Sequence, residues 1–258
     1  MTDTAPRARG GAAAWTPRVT PPVGVDLDVR QKLACAFRIL ARSGFSENIA
    51  GHITCADSET GGMWVNPWGL WWDEVRASDV CLVSTEGRVL EGKWDVTPAI
   101  HIHTELHRRR ADARVVVHNH PYYATVLAAV GVLPDTLHQT ACMLDGDLRF
   151  VREYTGEIDS GALGAELAER IGDASVVLLA NHGVIVTAPT VEEATYRAVS
   201  FERACRLMYD TLALERPYTT VDAEIRPAMK ASLLERGTDV FWAGAVRMLL
   251  REQPEVLE

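Results

Sequence analysis

Two short apolar runs, each ending in a histidine, constrain the fold of this chain more than any other feature. The first covers residues 115–117 and is followed by His118 and His120; the second covers residues 176–180 and leads to His182. Runs of this length that are rich in valine predict buried β-strands. Because successive side chains of a strand point to opposite faces, His118 and His120 share one face.

Three histidines in this pattern predict a metal site. Imidazole is a common metal ligand, and three protein ligands leave one position for substrate or water. We therefore predict that His118, His120 and His182 bind one ion, if a neighbouring strand brings His182 beside the first pair. The alternative is three unrelated polar residues at strand ends, since an isolated His-x-His pair is a permissive pattern.

Composition excludes several classes of protein. A chain of 258 residues that is 47% hydrophobic can bury a full core. The net charge of −9 opposes a nucleic-acid surface, and we find no uninterrupted apolar stretch that would span a membrane. Five widely spaced cysteines without a Cys-x-x-Cys pair favour a reduced, cytoplasmic protein.

Periodicity and turn signals predict helices interleaved with strands. The helices are expected near residues 26–42, 97–110, 122–130, 162–171 and 190–214, and further strands near 51–55, 62–66 and 80–84. This order predicts a layered α/β/α domain. We divide the chain into a disordered leader (1–24), this domain (25–215) and a C-terminal helical tail at a subunit interface (216–258). On the last long helix, Glu202 is expected to pair with Arg206, four residues later.

The ordered segments resemble the class II aldolase and adducin family over roughly residues 31–214. The resemblance rests on residues 46–54, residues 114–120, the Asn-His-Gly at 181–183 and the capped helix that follows. It implies a three-layer α/β/α sandwich around a central, largely antiparallel sheet, and a homotetramer with active sites at subunit interfaces. It also implies a divalent ion, usually Zn²⁺, with Mn²⁺ or Fe²⁺ as alternatives, on the three histidines.

One family position departs from the aldolase pattern. In sugar-phosphate aldolases of the family, a glutamate four residues before a helix histidine handles the proton. Here the histidine matches His103, and the glutamate position is Ala99. A methyl group cannot move a proton, so His101, whose imidazole titrates near neutral pH, is our candidate catalytic residue. Asp95, Glu105 or a tyrosine from elsewhere are the alternatives.

The phosphate-binding loops of the family depart as well. Only Gly51, Gly69 and Thr97 keep a comparable capacity to bind substrate, through backbone amides or a hydroxyl. His52 stands at a further position of the same pocket, either as a loop hydrogen-bonder or against an acidic substrate group. A non-phosphorylated substrate is therefore expected. Four tryptophans between residues 64 and 72 either stack on a flat substrate or pack in the core or an interface.

The leading functional hypothesis is a metal-dependent lyase that acts on a small, non-phosphorylated keto or hydroxy acid through a metal-stabilised enolate. Aldol cleavage and decarboxylation are both open. Decarboxylation fits Ala99, because release of carbon dioxide needs no general base. The alternatives are a non-haem iron oxygenase of aromatic hydroxy acids and a non-catalytic, adducin-like interaction module.

Overall fold

An eight-stranded sheet forms the centre of the structure, a computed structural model that describes residues 17–153, 156 and 158–258. Most of the predicted leader, residues 1–16, lies outside the described residues. The strands are β1 His52–Ala56, β2 Met63–Val65, β3 Cys81–Val83, β4 Val89–Glu91, β5 Val115–Asn119, β6 Leu148–Val151, β7 Val176–Leu179 and β8 Val184–Ala188. Their spatial order is β4-β3-β2-β1-β5-β8-β7-β6. Between the described strands only β6 and β7 pair in parallel, so the predicted, largely antiparallel sheet is confirmed.

Six α-helices cover the sheet in the described part of the chain. They are α1 Val29–Leu40, α2 His101–Arg109, α3 Tyr122–Val130, α4 Gly161–Ile171, α5 Val191–Ala213 and α6 Arg226–Glu252. Helix α2 follows a short 3-10 turn, Pro98–Ile100, whose N-cap is Thr97, as the Thr-Pro pair predicts. The predicted helices are therefore found close to their expected positions, whereas strands β4, β6 and β8 were not predicted.

Because side chains alternate along the strands, the buried apolar residues form two clusters, one on each face of the sheet. Val115 and Val117 of β5 belong to the larger apolar cluster, with residues of α1, α3, α5 and α6. Val116, between them, belongs to a smaller cluster with residues of α2 and α4, such as Ile102 and Leu167. Helices therefore cover both sides of the sheet, which confirms the three-layer α/β/α sandwich.

Helix α6 packs into the same core as the preceding helices. Its Trp242, Val246 and Leu249 are buried in the larger cluster. The division into leader, domain and tail stays a prediction. Even this 27-residue helix is too polar for a transmembrane segment, and none of the other described helices qualifies as one.

Strands β1 and β5 are neighbours at the centre of the sheet, and their register determines what surrounds the site. His52 lies directly opposite His118, and Thr54 lies opposite Val116. Residues that face each other across antiparallel strands share a face. His52, Thr54 and His118 are thus on the face covered by α2 and α4.

Candidate metal centre

The sheet brings the three predicted histidines together. His118 belongs to β5 and His120 follows its last residue, while His182 lies in the turn between β7 and β8. Strand β8 pairs with β5, which places this turn beside the end of β5. The ring centroids lie 5.1 Å (His118–His120), 4.8 Å (His118–His182) and 4.9 Å (His120–His182) apart. One ligand atom from each residue lies within 4.8 Å of the other two.

The turn that carries His182 requires a glycine. Asn181 has a positive φ of 53°, a conformation that asparagine tolerates better than most residues. A Cβ at Gly183 would lie 2.4 Å from the carbonyl oxygen of Asn119 and 2.5 Å from Cδ2 of His120. Any other residue would therefore push the turn away from the end of β5.

Hydrogen bonds orient the rings of His118 and His120. Nδ1 of His118 donates to the carbonyl oxygen of Val184 at 3.0 Å, and Nδ1 of His120 donates to a carboxylate oxygen of Glu47 at 2.6 Å. These contacts leave Nε2 of each ring for another partner. Nε2 of His120 is buried without a hydrogen-bond partner in the described part of the chain. Metal-ligating histidines usually have such a second contact, which fixes their tautomer.

Two imidazoles of this group, those of His118 and His182, are held neutral. Burial, then the neighbouring His182, His120 and His52, lowers the pKa of His118 well below its usual value. Burial and His120 lower the pKa of His182 to about 4. A histidine must be neutral to ligate a metal. Three converging imidazoles, with Nε2 of His118 and of His120 left available by the hydrogen bonds of Nδ1, fit a divalent transition-metal ion such as Zn²⁺.

A cavity of about 380 Å³ opens over the three rings. Its lining residues are Asn48, Ile49, Ala50, Gly51, His52, Trp68, Thr97, Ala99, Ile102, His118, His120, Ile158 and His182. None of these is a lysine, arginine, aspartate or glutamate. The described wall of the cavity is therefore apolar, with a few neutral polar groups, a composition typical of small-molecule sites.

Comparison with known proteins shows the family. Residues 31–209 match the family described as Class II Aldolase and Adducin N-terminal domain. The chain belongs to the class II aldolase and adducin family. It is 32% identical to a 3,4-dihydroxyphthalate decarboxylase of Arthrobacter keyseri over 67% of this chain and 74% of that protein. It is 29% identical to Decarboxylase NovR of Streptomyces niveus over 71% of this chain and 70% of that protein.

A solved structure supports the fold of this class II aldolase family member. The L-fuculose 1-phosphate aldolase from Glaciozyma antarctica PI12 superposes with a TM-score of 0.79. The match covers 89% of this chain and 92% of that chain, at 24% identity. At this identity the similarity concerns the fold alone.

Three of the four predicted substrate-binding residues line the cavity, namely Gly51, His52 and Thr97. Gly69 does not, although its neighbour Trp68 does. Gly51 is required by close packing: a Cβ there would lie 2.3 Å from Nδ2 of Asn119. Their binding roles stay predictions.

The structure does not bring His101 to the cavity wall. A Cβ on Gly164 of α4 would lie 3.3 Å from Cβ of His101, so His101 stands at the contact between α2 and α4. The neighbouring Ala99 and Ile102 line the cavity instead. The catalytic role of His101 stays a prediction, and its position does not favour it.

The tryptophans between residues 64 and 72 have different environments. Trp72 is buried between Phe37 and Phe45, with ring centroids 5.1 and 6.5 Å away. Trp64 lies under the guanidinium of Arg30. Trp68, 56% exposed, lines the cavity and is the tryptophan of this group placed to contact a substrate.

Sequence reasoning missed the contacts of two carboxylates, Glu47 and Glu202. Glu47 belongs to a segment that carried the family resemblance, yet no local pattern marks it as the partner of His120. Glu202 was expected to pair with Arg206, but it does not. It is buried and accepts hydrogen bonds from the backbone N–H groups of Tyr123 and Ala124, at 2.9 and 3.0 Å. These bonds cap α3, whose N-cap Pro121 offers no side-chain bond. Burial raises the pKa of Glu202 to about 7.

Proposed function

We propose that this chain is a metal-dependent carbon–carbon lyase, of the decarboxylase type, for a small, non-phosphorylated keto or hydroxy acid. The observation that carries the proposal is the convergence of His118, His120 and His182 at the base of a cavity whose described wall has no charged side chain. The kinship with two decarboxylases supports the reaction class.

The three histidines would hold a divalent ion, Zn²⁺ in the first place, with Mn²⁺ or Fe²⁺ as alternatives. When bound, such an ion is a Lewis acid that polarises substrate oxygens. Glu47 and the Val184 carbonyl keep the rings of His120 and His118 in the orientation that presents Nε2. These contacts reduce the reorganisation that binding requires.

The lining residues favour an acid without a phosphate group. Phosphate is usually bound by arginine, lysine or a cluster of backbone N–H groups. No arginine or lysine is among the described lining residues, and Gly69 lies away from the cavity. The aliphatic side chains of Ile49, Ile102 and Ile158 instead suit an apolar substrate body.

Ala99 favours decarboxylation over aldol cleavage. Loss of carbon dioxide breaks the carbon–carbon bond without removing a proton from a hydroxyl, so a base at this position is unnecessary. The product then takes up one proton in place of the carboxylate. His52 and Thr97 are the polar side chains of the wall, besides the three histidines and Asn48, that can orient the substrate.

Metal analysis of the purified protein tests the site. We expect about one divalent ion per chain, loss of most of it in His118→Ala, and retention of the fold by circular dichroism. His138→Ala, which removes an imidazole that does not line the cavity, is the matched control and should keep the ion. Full metal retention by His118→Ala would contradict the site assignment.

Turnover tests the reaction. Release of carbon dioxide from a panel of aliphatic keto acids and aromatic hydroxy acids is expected from the metal-loaded protein, and a chelator should abolish it. Oxygen consumption in step with turnover would instead favour the iron oxygenase. Absence of any turnover, together with partner binding that a chelator does not change, would favour the adducin-like module.

We also propose that the protein is a homotetramer with active sites at subunit interfaces. Large apolar side chains near the site are exposed in the single chain, among them Tyr122 (66%) and Trp68 (56%). Patches of this kind on a folded protein usually mark contact surfaces. Light scattering coupled to gel filtration measures the assembly directly, and a monomeric mass would contradict the proposal.

A further inference from the structure

A row of buried polar side chains lies between the sheet and α2. It consists of His52 and Thr54 on β1, and of His103 and His107, one helical turn apart on α2. His103 and Thr54 have no exposed surface. Polar groups are costly to bury unless they are hydrogen-bonded, and on this face they lie beside an apolar cluster that includes Ile102, Leu106 and Val116.

The hydrogen bonds of the row start at a backbone carbonyl. Nδ1 of His107 lies 2.7 Å from the carbonyl oxygen of Ala113, and its Nε2 lies 2.7 Å from Oγ1 of Thr54. The same hydroxyl oxygen lies 2.8 Å from Nδ1 of His103. A carbonyl oxygen only accepts, so the direction of every bond follows from this end.

The imidazoles of the row are neutral at physiological pH. Burial lowers the pKa of His107 to about 4, and burial followed by His52 and His107 lowers the pKa of His103 well below its usual value. The nearby Val116 carbonyl opposes the shift of His103. His52 is also buried, its ring centroid lies 5.4 and 5.8 Å from those of His103 and His118, and no acidic side chain is among the described lining residues beside it, so a positive charge there is unfavourable. A neutral imidazole has one N–H and one bare nitrogen.

Neutrality fixes each tautomer in turn. His107 donates from Nδ1 to Ala113, so its Nε2 is bare and receives the hydroxyl hydrogen of Thr54. Because that hydrogen is used, Oγ1 of Thr54 accepts from Nδ1–H of His103. Nε2 of His103 is therefore a bare nitrogen. This assignment satisfies all three short contacts at once.

The next polar group is His52, whose ring centroid lies 5.4 Å from that of His103. Nε2 of His103 and Nδ1 of His52 are both buried, and neither has a hydrogen-bond partner in the described part of the chain. A bare nitrogen in a dry interior favours a donor opposite it, directly or through one water molecule. Nδ1 is the nitrogen of His52 that is buried without a partner, so we assign the donor to it.

We propose that Thr54 and His103 are positioning residues that fix the tautomer of His52, with Nδ1 as N–H and a bare Nε2 for the cavity. A bare nitrogen in the cavity wall accepts a hydrogen bond from a hydroxyl group. A hydroxy acid would thereby find a partner for its hydroxyl hydrogen. Only this substrate contact rests on the proposed function; the tautomer assignment does not.

Nitrogen-15 NMR of histidine-labelled, metal-free protein tests the tautomers at neutral pH, because bare and protonated ring nitrogens differ strongly in chemical shift. In the native protein we expect Nδ1–H signals and bare Nε2 signals for both His52 and His103. Thr54→Val, which removes the hydroxyl at nearly constant shape, should shift the signals of both residues toward tautomer mixtures. Thr54→Ser, which restores the hydroxyl, should return them to the native positions.

Thr187→Val is the matched control. Thr187 is a buried threonine of β8 whose hydroxyl has no hydrogen-bond partner among the described residues, so its loss should leave the histidine signals unchanged. A protonated Nε2 on His52 in the native protein would overturn the proposal. So would a protonated Nε2 on His103 donating to the Val116 carbonyl, or unchanged signals in Thr54→Val. The measurement uses no substrate and no metal, so failure of the lyase proposal does not affect it.

Discussion

The two faces of strand β1 border regions that differ in the polarity of their buried side chains. Ile53 faces α1 and α5, where the larger cluster contains apolar side chains almost without interruption. His52 and Thr54 face α2, where imidazoles and a hydroxyl take the place of aliphatic groups. Removal of apolar area from water stabilises the first face, whereas burial of polar groups opposes folding on the second. The larger apolar cluster thus occupies one side of the sheet, whereas the other side combines a smaller apolar cluster with the buried polar groups beside the candidate site.

The larger cluster should dominate the free energy of unfolding. Phe201 of α5 is completely buried there, and its replacement by alanine removes a large apolar side chain and leaves a cavity. We expect Phe201→Ala to lower the free energy of unfolding by about 3–5 kcal/mol in urea denaturation. Leu212→Ala, on the same helix at a position 42% exposed, is the control and should cost about 0.5 kcal/mol or less. Equal losses would contradict the contrast between core and surface.

Acid should destabilise the polar face. Because the pKa of His107 is lowered to about 4 in the folded protein, the unfolded chain takes up its proton first, below about pH 6.5. Stability is complete above that pH and falls as the pH decreases toward 4. His107→Gln in metal-free protein should remove on the order of 2–3 kcal/mol of this loss. Parallel pH curves for the two proteins would show that His107 is not held neutral.

The buried carboxylate of Glu202, on the side of the larger apolar cluster, should make stability depend on pH in the opposite direction. Glu202 has a pKa raised to about 7, so the folded protein keeps the proton longer than the unfolded chain. Its ionisation therefore lowers stability as the pH rises from about 4.5 to 7. Glu202→Gln should remove about 1–2 kcal/mol of this dependence. Asp210→Asn, at an exposed position of the same helix, should not. A native curve that rises across this range relative to Glu202→Gln would contradict the assignment.

The smallest effect should distinguish two threonines on the same face of the sheet, Thr54 on β1 and Thr187 on β8, which lie on either side of Val116 of β5. Thr54→Val leaves two imidazoles without their shared partner and should cost about 1–2 kcal/mol. Thr187→Val removes a buried hydroxyl without a partner, so its effect should lie within about 0.5 kcal/mol of zero or stabilise. Thermal unfolding at fixed pH compares the variants. A larger loss for Thr187→Val would reverse the interpretation of both hydroxyls.

The sequence was sufficient for the parts of the structure that depend on local periodicity. Two-residue alternation placed His118 and His120 on one face, and the Thr-Pro pair located the start of α2. The three histidines required only one further condition, that the turn with His182 lie near β5. The pairing of β8 with β5 meets this condition.

Contacts between segments that are distant along the chain could not be predicted from the sequence. Strands β4 and β6 lie at the two edges of the sheet and are only partly buried, so no continuous apolar run marks them in the sequence. Glu202 was assigned to Arg206 because helical spacing allows it, yet burial against α3 offered two backbone N–H groups instead. His101 was assigned by its closeness in sequence to Ala99, but the packing of α2 on α4 determines which side chains reach the cavity. Tertiary packing decided all three outcomes.

Gly183 limits how this protein can be re-engineered. In libraries that vary residues 181–183 to alter substrate range, variants with any other residue at position 183 would be lost. Even a methyl group there meets the β5 backbone and the His120 ring. Ile49, Ile102 and Trp68 line the cavity with side chains, and none of them is a glycine packed against another backbone segment. Diversity introduced there should change which acids are accepted while the ion-binding end of the cavity keeps its shape.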